Sequence, residues 1–139
     1  MIEKACVHRR SPSRPTESRL VTRALTIHDS ALHFALAFVD GEVSGLASVA
    51  IAHPGIDLER LLFLKDLFVR DNIRNASVGG ALIGFLADHC LSHGIGRIDL
   101  TSEDWNEGAL RFYARLGAER HGQKVFLRIS GDALKAVKP

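Results

Sequence analysis

Apolar and polar positions follow two distinct rhythms in the middle of the chain. From Leu61 to Val69 it reads Leu-Leu-Phe-Leu-Lys-Asp-Leu-Phe-Val, apolar except at Lys65 and Asp66. A short, nearly continuous apolar run with aromatic residues predicts a buried strand. Further on the rhythm becomes helical. Ala81, Leu82, Phe85, Leu86 and Cys90 fall on one face, which predicts an amphipathic helix over Val78–His93. Gly94-Ile95-Gly96 stops that helix. Between strand and helix lies a loop of small residues, Arg74 to Gly80.

Two strands are predicted upstream, His33–Phe38 and Val43–Ala52, joined by the hairpin turn Asp40-Gly41. His53-Pro54-Gly55 ends the second. Downstream, Arg97–Thr101 reads as a strand. Glu107–Leu116 reads as a second amphipathic helix, closed by Gly117. Lys124–Ile129 reads as a last strand, with Val125, Leu127 and Ile129 at alternate positions. At the other end, Ile2–His8 suits a short edge strand. Arg9, Arg10, Arg14 and Arg19, mixed with Ser11, Pro12, Ser13 and Pro15, make residues 1–15 an irregular arm. Thr16 is placed to N-cap a helix running to about Leu25. No internal repeat or interdomain linker is visible. The order of hairpin, strand, helix, strand, helix, strand predicts one domain over residues 1–139. It is of the α/β (α+β) class, a mixed sheet with helices packed on it.

Composition narrows the function classes. The chain has 139 residues, 46% hydrophobic and 24% charged, which suits one packed domain and excludes global disorder. A net charge of +2 does not by itself call for nucleic acid. The basic arm carries no interleaved aromatic residue to stack on bases, so a solvated tail is the simpler reading. Cys6 and Cys90 lack metal or redox spacing, which points to a reducing compartment. No apolar run reaches a membrane span of roughly 18 residues, and the N-terminus has no signal-peptide pattern. A cytoplasmic protein with no membrane or nucleic-acid partner is expected.

The Arg74–Gly80 loop supplies the first chemistry. A helix N-terminus presents free N–H groups and a positive dipole end, and small residues let a phosphate approach them. The loop lacks the Gly-Lys-Ser/Thr of a P-loop and the Gly-x-Gly-x-x-Gly of a dinucleotide site. Alone, it is equally well a strand-to-helix turn with two glycines for packing. Its wording, Arg74-Asn75-Ala76-Ser77-Val78-Gly79-Gly80-Ala81, resembles the Arg/Gln-x-x-Gly-x-Gly/Ala loop of the GNAT superfamily of acyl-CoA-dependent N-acyltransferases. Downstream, Asn106-Glu107-Gly108-Ala109-Leu110-Arg111-Phe112-Tyr113-Ala114-Arg115-Leu116-Gly117-Ala118 resembles the second motif of that family, Asn-x-x-Ala-x-x-Phe-Tyr-x-x-x-Gly-Phe/Ala. The two motifs stand in the expected order and separation, and the resemblance covers roughly residues 31 to 129. Lys65-Asp66-Leu67-Phe68-Val69 and Asp104-Trp105-Asn106-Glu107 look most like its diamine and polyamine acetyltransferase branch.

The resemblance implies a mostly antiparallel sheet in which two adjacent parallel strands, here Leu61–Val69 and Arg97–Thr101, splay apart, with helices on both faces. It implies acetyl-CoA as cosubstrate and the primary amine of a small molecule as acceptor: a diamine, a polyamine or an amino acid. The backbone N–H groups of Arg74, Asn75, Ala76, Ser77, Val78, Gly79 and Gly80 would hold the pyrophosphate. The backbone of Leu67, Phe68 and Val69 would bond the pantetheine arm and supply an N–H for the oxyanion. Asn106, Glu107, Gly108 and Ala109 would touch the far side of the cofactor. Tyr113, the single tyrosine, would protonate the leaving thiolate, since a phenol with a pKa of about 10 stays protonated at neutral pH. Read without the resemblance, it is a helix tyrosine packed beside Phe112.

Removal of a proton from the amine is assigned to Asp66 or Glu103, with Asp104 a further candidate. Each also reads as a surface or structural carboxylate. Polyamine-type relatives carry a glutamate where this chain has Lys65. Ser77 stands where the family has its first glycine; a serine keeps the N–H but is strained at positive φ. Only about 30 residues precede His33, so the first helix of the family is expected to be missing or remodelled, and with it one wall of the acceptor site. These departures motivate an alternative, a catalytically weak CoA-binding or interaction module. The uncovered surface they leave predicts a homodimer. His89 and His93 have the i, i+4 spacing of a metal pair, but no third ligand accompanies them, and cations also suit a helix C-terminus. No metal is expected.

Overall fold

The computed structural model describes residues 6–7, 20–26, 32–53, 59–73 and 77–137. The chain forms two compact units, Met1–Glu103 and Asp104–Pro139. The first holds strands β1 (Cys6–Val7), β2 (Leu20–Thr26), β3 (Leu32–Val39), β4 (Glu42–Ala52), β5 (Leu61–Val69) and β6 (Arg97–Leu100), with helix α1 (Val78–Ser92). The strands form one mixed sheet in sequence order. Every neighbouring pair is antiparallel except β5 and β6, which run parallel.

The β3–β4 hairpin turns at Asp40-Gly41, both at positive φ (51° and 87°), directly between the paired Val39 and Glu42. Two such residues match the right-handed twist of the strands they join. The α1 helix lies over β3, β4 and β5 and buries Val78, Leu82, Leu86 and Cys90, each one turn from the next. The facing sheet positions are small or β-branched: Ala35, Ala37, Gly45, Ala47 and Val49, with Leu62 and Leu64 beside them. At Gly45 the approach is closest. A Cβ there would stand 2.8 Å from Val78 Cγ1 and 3.0 Å from Leu82 Cδ1. At its other end α1 closes on Gly94 at φ 62°, with the Ile95 N–H donating to the Cys90 carbonyl (2.9 Å) and Ile95 itself buried. This is the glycine stop with its apolar contact.

The second unit contains α2 (Glu107–Arg115) and α3 (Gly131–Ala136). The Asn106 Oδ1 accepts from the Ala109 N–H (3.1 Å) and starts α2. Gly117, at φ 86°, ends it, with N–H groups of Gly117 and Ala118 donating to the carbonyls of Ala114 and Tyr113.

Two expectations are corrected. Residues Leu20–Leu25, read as the body of a helix, belong to strand β2, paired along its length with β3. Val21, Thr22 and Thr26 are β-branched, and a neighbouring apolar strand outweighs the weak helical preference of so short a stretch. The expected N-cap, Thr16, lies outside the described residues, as does most of the expected arm. Among the described residues no helix precedes β3. Lys124–Ile129 forms no strand, and Val125, Phe126, Leu127 and Ile129 are exposed. Alternation prepares a segment for a sheet but supplies no partner for its backbone, and its own unit contains none. The short helix α3 that follows carries no apolar periodicity long enough to announce it.

Candidate functional site

The site in the first unit begins where β5 parts from β6. Their parallel pairing covers only Leu61–Leu64 against Arg97–Leu100. The β4 partners of β5 jump from Leu64 (opposite Val49) to Asp66 (opposite Ser48), so Lys65 is the extra residue of a β-bulge. A bulge twists its strand and shifts the side-chain alternation by one. Lys65 and Asp66 are accordingly both exposed, and Leu67 and Val69 join the face occupied by Leu62 and Leu64. From Asp66 to Val69, β5 is paired with β4 on one side and has no β6 partner on the other. The backbone of Leu67, Phe68 and Val69 is thereby available to an extended ligand arm. The Phe68 side chain is 58% exposed.

After β5 the Arg70 N–H donates to the Ser44 carbonyl (3.0 Å), and a single 3-10 turn spans Asp71–Ile73. Arg74, Asn75 and Ala76 lie outside the described residues. Ser77 then caps α1 in the left-handed conformation, φ 57° and ψ 18°, with no capping bond from its hydroxyl. The first helical bond runs from the Ala81 N–H to the Ser77 carbonyl (2.9 Å). The N–H groups of Val78, Gly79 and Gly80 precede it and have no acceptor within the helix. Among the described residues, a Cβ added at Gly80 would meet nothing within 4 Å. The Phe68 carbonyl oxygen, 3.1 Å from the Cβ position of Gly45, shares that crowded point with Val78. Gly45 therefore brings the end of β5 and the start of α1 together. This arrangement suits a ligand with a diphosphate at the helix end and an amide-bearing arm along the strand.

Of the candidate carboxylates, Asp66 stands at the bulge. Its Oδ2 accepts from the hydroxyl of Ser48, a residue buried on β4, at 2.5 Å. Glu103 and Asp104 are exposed, outside any strand or helix. Neither Gly45 nor Ser48 stands out in the sequence. A glycine inside a strand pattern signals a close backbone approach, and a serine within the apolar stretch Leu46–Ala52 signals a polar partner.

In the second unit, α2 presents Ala109, Leu110, Phe112 and Tyr113 as a half-buried face, while Glu107 and Arg111 pair at 3.0 Å on the exposed side. The rings of Phe112 and Tyr113 meet edge to face, centroids 5.1 Å apart. Burial pushes the Tyr113 phenol above its ordinary value, so it holds its proton throughout the neutral range. Asn106 has a structural duty as the cap of α2. At the far end of α1, the rings of His89 and His93 stack at 4.1 Å, and His93 Nδ1 meets the His89 carbonyl oxygen (2.8 Å). Burial, with His93 and His33 nearby, holds the His89 imidazole below its ordinary value.

A strand that leaves its parallel neighbour at a bulge and runs into a small-residue helix start suits a class of ligand with a diphosphate and an extended arm. Comparison with known proteins narrows it. Residues 3–118 match the acetyltransferase (GNAT) family, and the chain belongs to that family. It is 29% identical over 98 residues to an L-ornithine N5-acetyltransferase of Arabidopsis thaliana, covering 70% of this chain and 43% of that protein. It is 31% identical over 80 residues to a thialysine N-epsilon-acetyltransferase of Bos taurus, covering 55% and 46% respectively. The matches thus span less than half the length of these relatives. Among solved structures, an integron cassette protein from the mobile metagenome of V. cholerae superposes with a TM-score of 0.72 at 30% identity, covering 78% of this chain and 67% of that one.

Proposed function

We propose that this chain is an acetyl-CoA-dependent N-acetyltransferase for the primary amine of a small molecule. The observation that carries the reading is the opening of β5 from β6 beside the N–H groups of Val78, Gly79 and Gly80, which have no acceptor within the helix. Family membership and the acetyltransferase relatives support it. When bound, acetyl-CoA supplies the activated acetyl thioester. Its diphosphate is held by the helix end and its arm by the backbone of Leu67, Phe68 and Val69, with one N–H polarising the thioester oxygen. Asp66 takes the proton of the acceptor ammonium, with Glu103 as the other candidate. The free amine nitrogen bonds to the carbonyl carbon, the carbon–sulfur bond breaks and Tyr113 gives its proton to the departing sulfur, while the proton that the nitrogen loses in becoming the amide returns through solvent to the phenolate. Asn106, Glu107, Gly108 and Ala109 complete the cofactor contacts, as do Arg74, Asn75, Ala76 and Ser77.

The named relatives direct the acceptor search to ornithine and thialysine first, then to diamines and polyamines. Release of free CoA thiol across such a panel tests the reading, with calorimetry of acetyl-CoA binding alongside. Binding with acetyl transfer to at least one amine is expected. Binding without transfer to any of them favours a catalytically weak CoA-binding module, a reading for which the left-handed Ser77 speaks. No binding at millimolar acetyl-CoA removes both.

A further inference from the structure

We propose that Ser48 is a positioning residue, its buried hydroxyl orienting the Asp66 carboxylate toward the acceptor amine. The inference rests on the assignment of Asp66 as the proton acceptor. Ser48 lies directly across from Asp66 in the β4–β5 register and is 3% exposed, whereas Asp66 is exposed. On its own face of the sheet Ser48 stands between the apolar Leu46 and Ala50 of β4 and directly across from Phe34 of β3. A hydroxyl in that setting is unfavourable unless it is hydrogen-bonded, and its bond goes to Asp66 Oδ2.

Position adds to the argument. Asp66 follows the bulged Lys65, at the point where β5 loses β6 as a neighbour. A carboxylate on such an exposed, singly paired stretch has two free torsions. A donor fixed in the middle of the sheet removes that freedom: β4 is paired with β3 and β5 on its two sides. The bond occupies Oδ2 and leaves Oδ1 to accept from the ammonium. Positioning of this kind acts on the chemical step, because a small misplacement of a reacting group costs rate far more than it costs cofactor binding.

The test is a double-mutant cycle of Ser48→Ala and Asp66→Asn, read as kcat, the KM for acetyl-CoA and the melting temperature, with the best acceptor of the panel. Ser48→Ala is expected to lower kcat about tenfold to a hundredfold with the KM for acetyl-CoA within about twofold. Added to Asp66→Asn it should cost nothing further, because the hydroxyl acts only through the carboxylate. Equal losses in both backgrounds, or a normal kcat for Ser48→Ala beside an inactive Asp66→Asn, would overturn the positioning role while leaving the function intact. A normal kcat for Asp66→Asn would remove Asp66 as base and the inference with it. If no amine of the panel turns over, crystal structures of the wild type and Ser48→Ala decide. One ordered Asp66 rotamer that becomes several on loss of the hydroxyl supports the proposal, and an unchanged Asp66 overturns it.

Discussion

Ser77 and Tyr113 are the side chains whose individual chemistry is most exposed to test. Ser77 holds φ at 57°, where a residue with a Cβ is strained by roughly 1–2 kcal/mol, and its hydroxyl returns no capping bond. Ser77→Gly relieves the strain but frees the unfolded chain, which takes back about 0.4–1 kcal/mol. A melting temperature raised by a few degrees is therefore expected, with acetyl-CoA affinity equal or better by calorimetry; a large loss of affinity would assign the serine a contact of its own. Tyr113→Phe removes one hydroxyl and keeps the ring edge-on to Phe112. If the phenol protonates the thiolate, turnover should fall about 10²–10⁴-fold with little change in melting temperature, and in kcat more than KM. A tyrosine that only packs gives the reverse, a modest stability loss and near-normal turnover.

Between strand and helix, two glycines separate packing from binding. Gly45 is where α1 crosses β4, and a methyl there must displace Val78, Leu82 or the Phe68 carbonyl. Gly45→Ala is expected to destabilise by about 1–3 kcal/mol, as overpacking does, and to weaken acetyl-CoA binding, since it pushes apart the strand and helix that form the cradle. Denaturant unfolding and calorimetry on one sample measure both. Gly80 is the opposite case. Nothing lies within 4 Å of its Cβ position, and alanine is the better helix residue by about 0.8–1.0 kcal/mol. Gly80→Ala should keep or raise the melting temperature while lowering acetyl-CoA affinity, because the methyl intrudes on the proposed diphosphate site. Unchanged affinity would move the phosphate elsewhere.

For the assembled protein, the expectation is a homodimer. Val125, Phe126, Leu127, Ile129, Leu134 and Val137 are all exposed within one short segment of the second unit, more apolar surface than isolated side chains explain. A dimer mass is expected by light scattering at tens of micromolar. Replacing Leu127 and Ile129 with Ser should shift the mass to the monomer without unfolding the protein, as read by circular dichroism; a monomeric wild type would refute the expectation. Much of this architecture is legible in the order of residues. The Asp40-Gly41 hairpin, the apolar run Leu61–Val69, the helix from Val78 and the Asn106-capped helix each carry a local signal: a turn that demands positive φ, a periodicity, a cap. The family resemblance was legible for the same reason, since its motifs are contiguous. Three-dimensional context set the rest. Leu20–Leu25 became a strand because β3 lay beside it, and Lys124–Ile129 did not because nothing did. The bulge at Lys65, the contact of Gly45 with Val78 and the bond from Ser48 to Asp66 join residues 15 to 33 positions apart. Local preference acts over a few residues, whereas register and close approach arise only when separate strands and a helix are packed together.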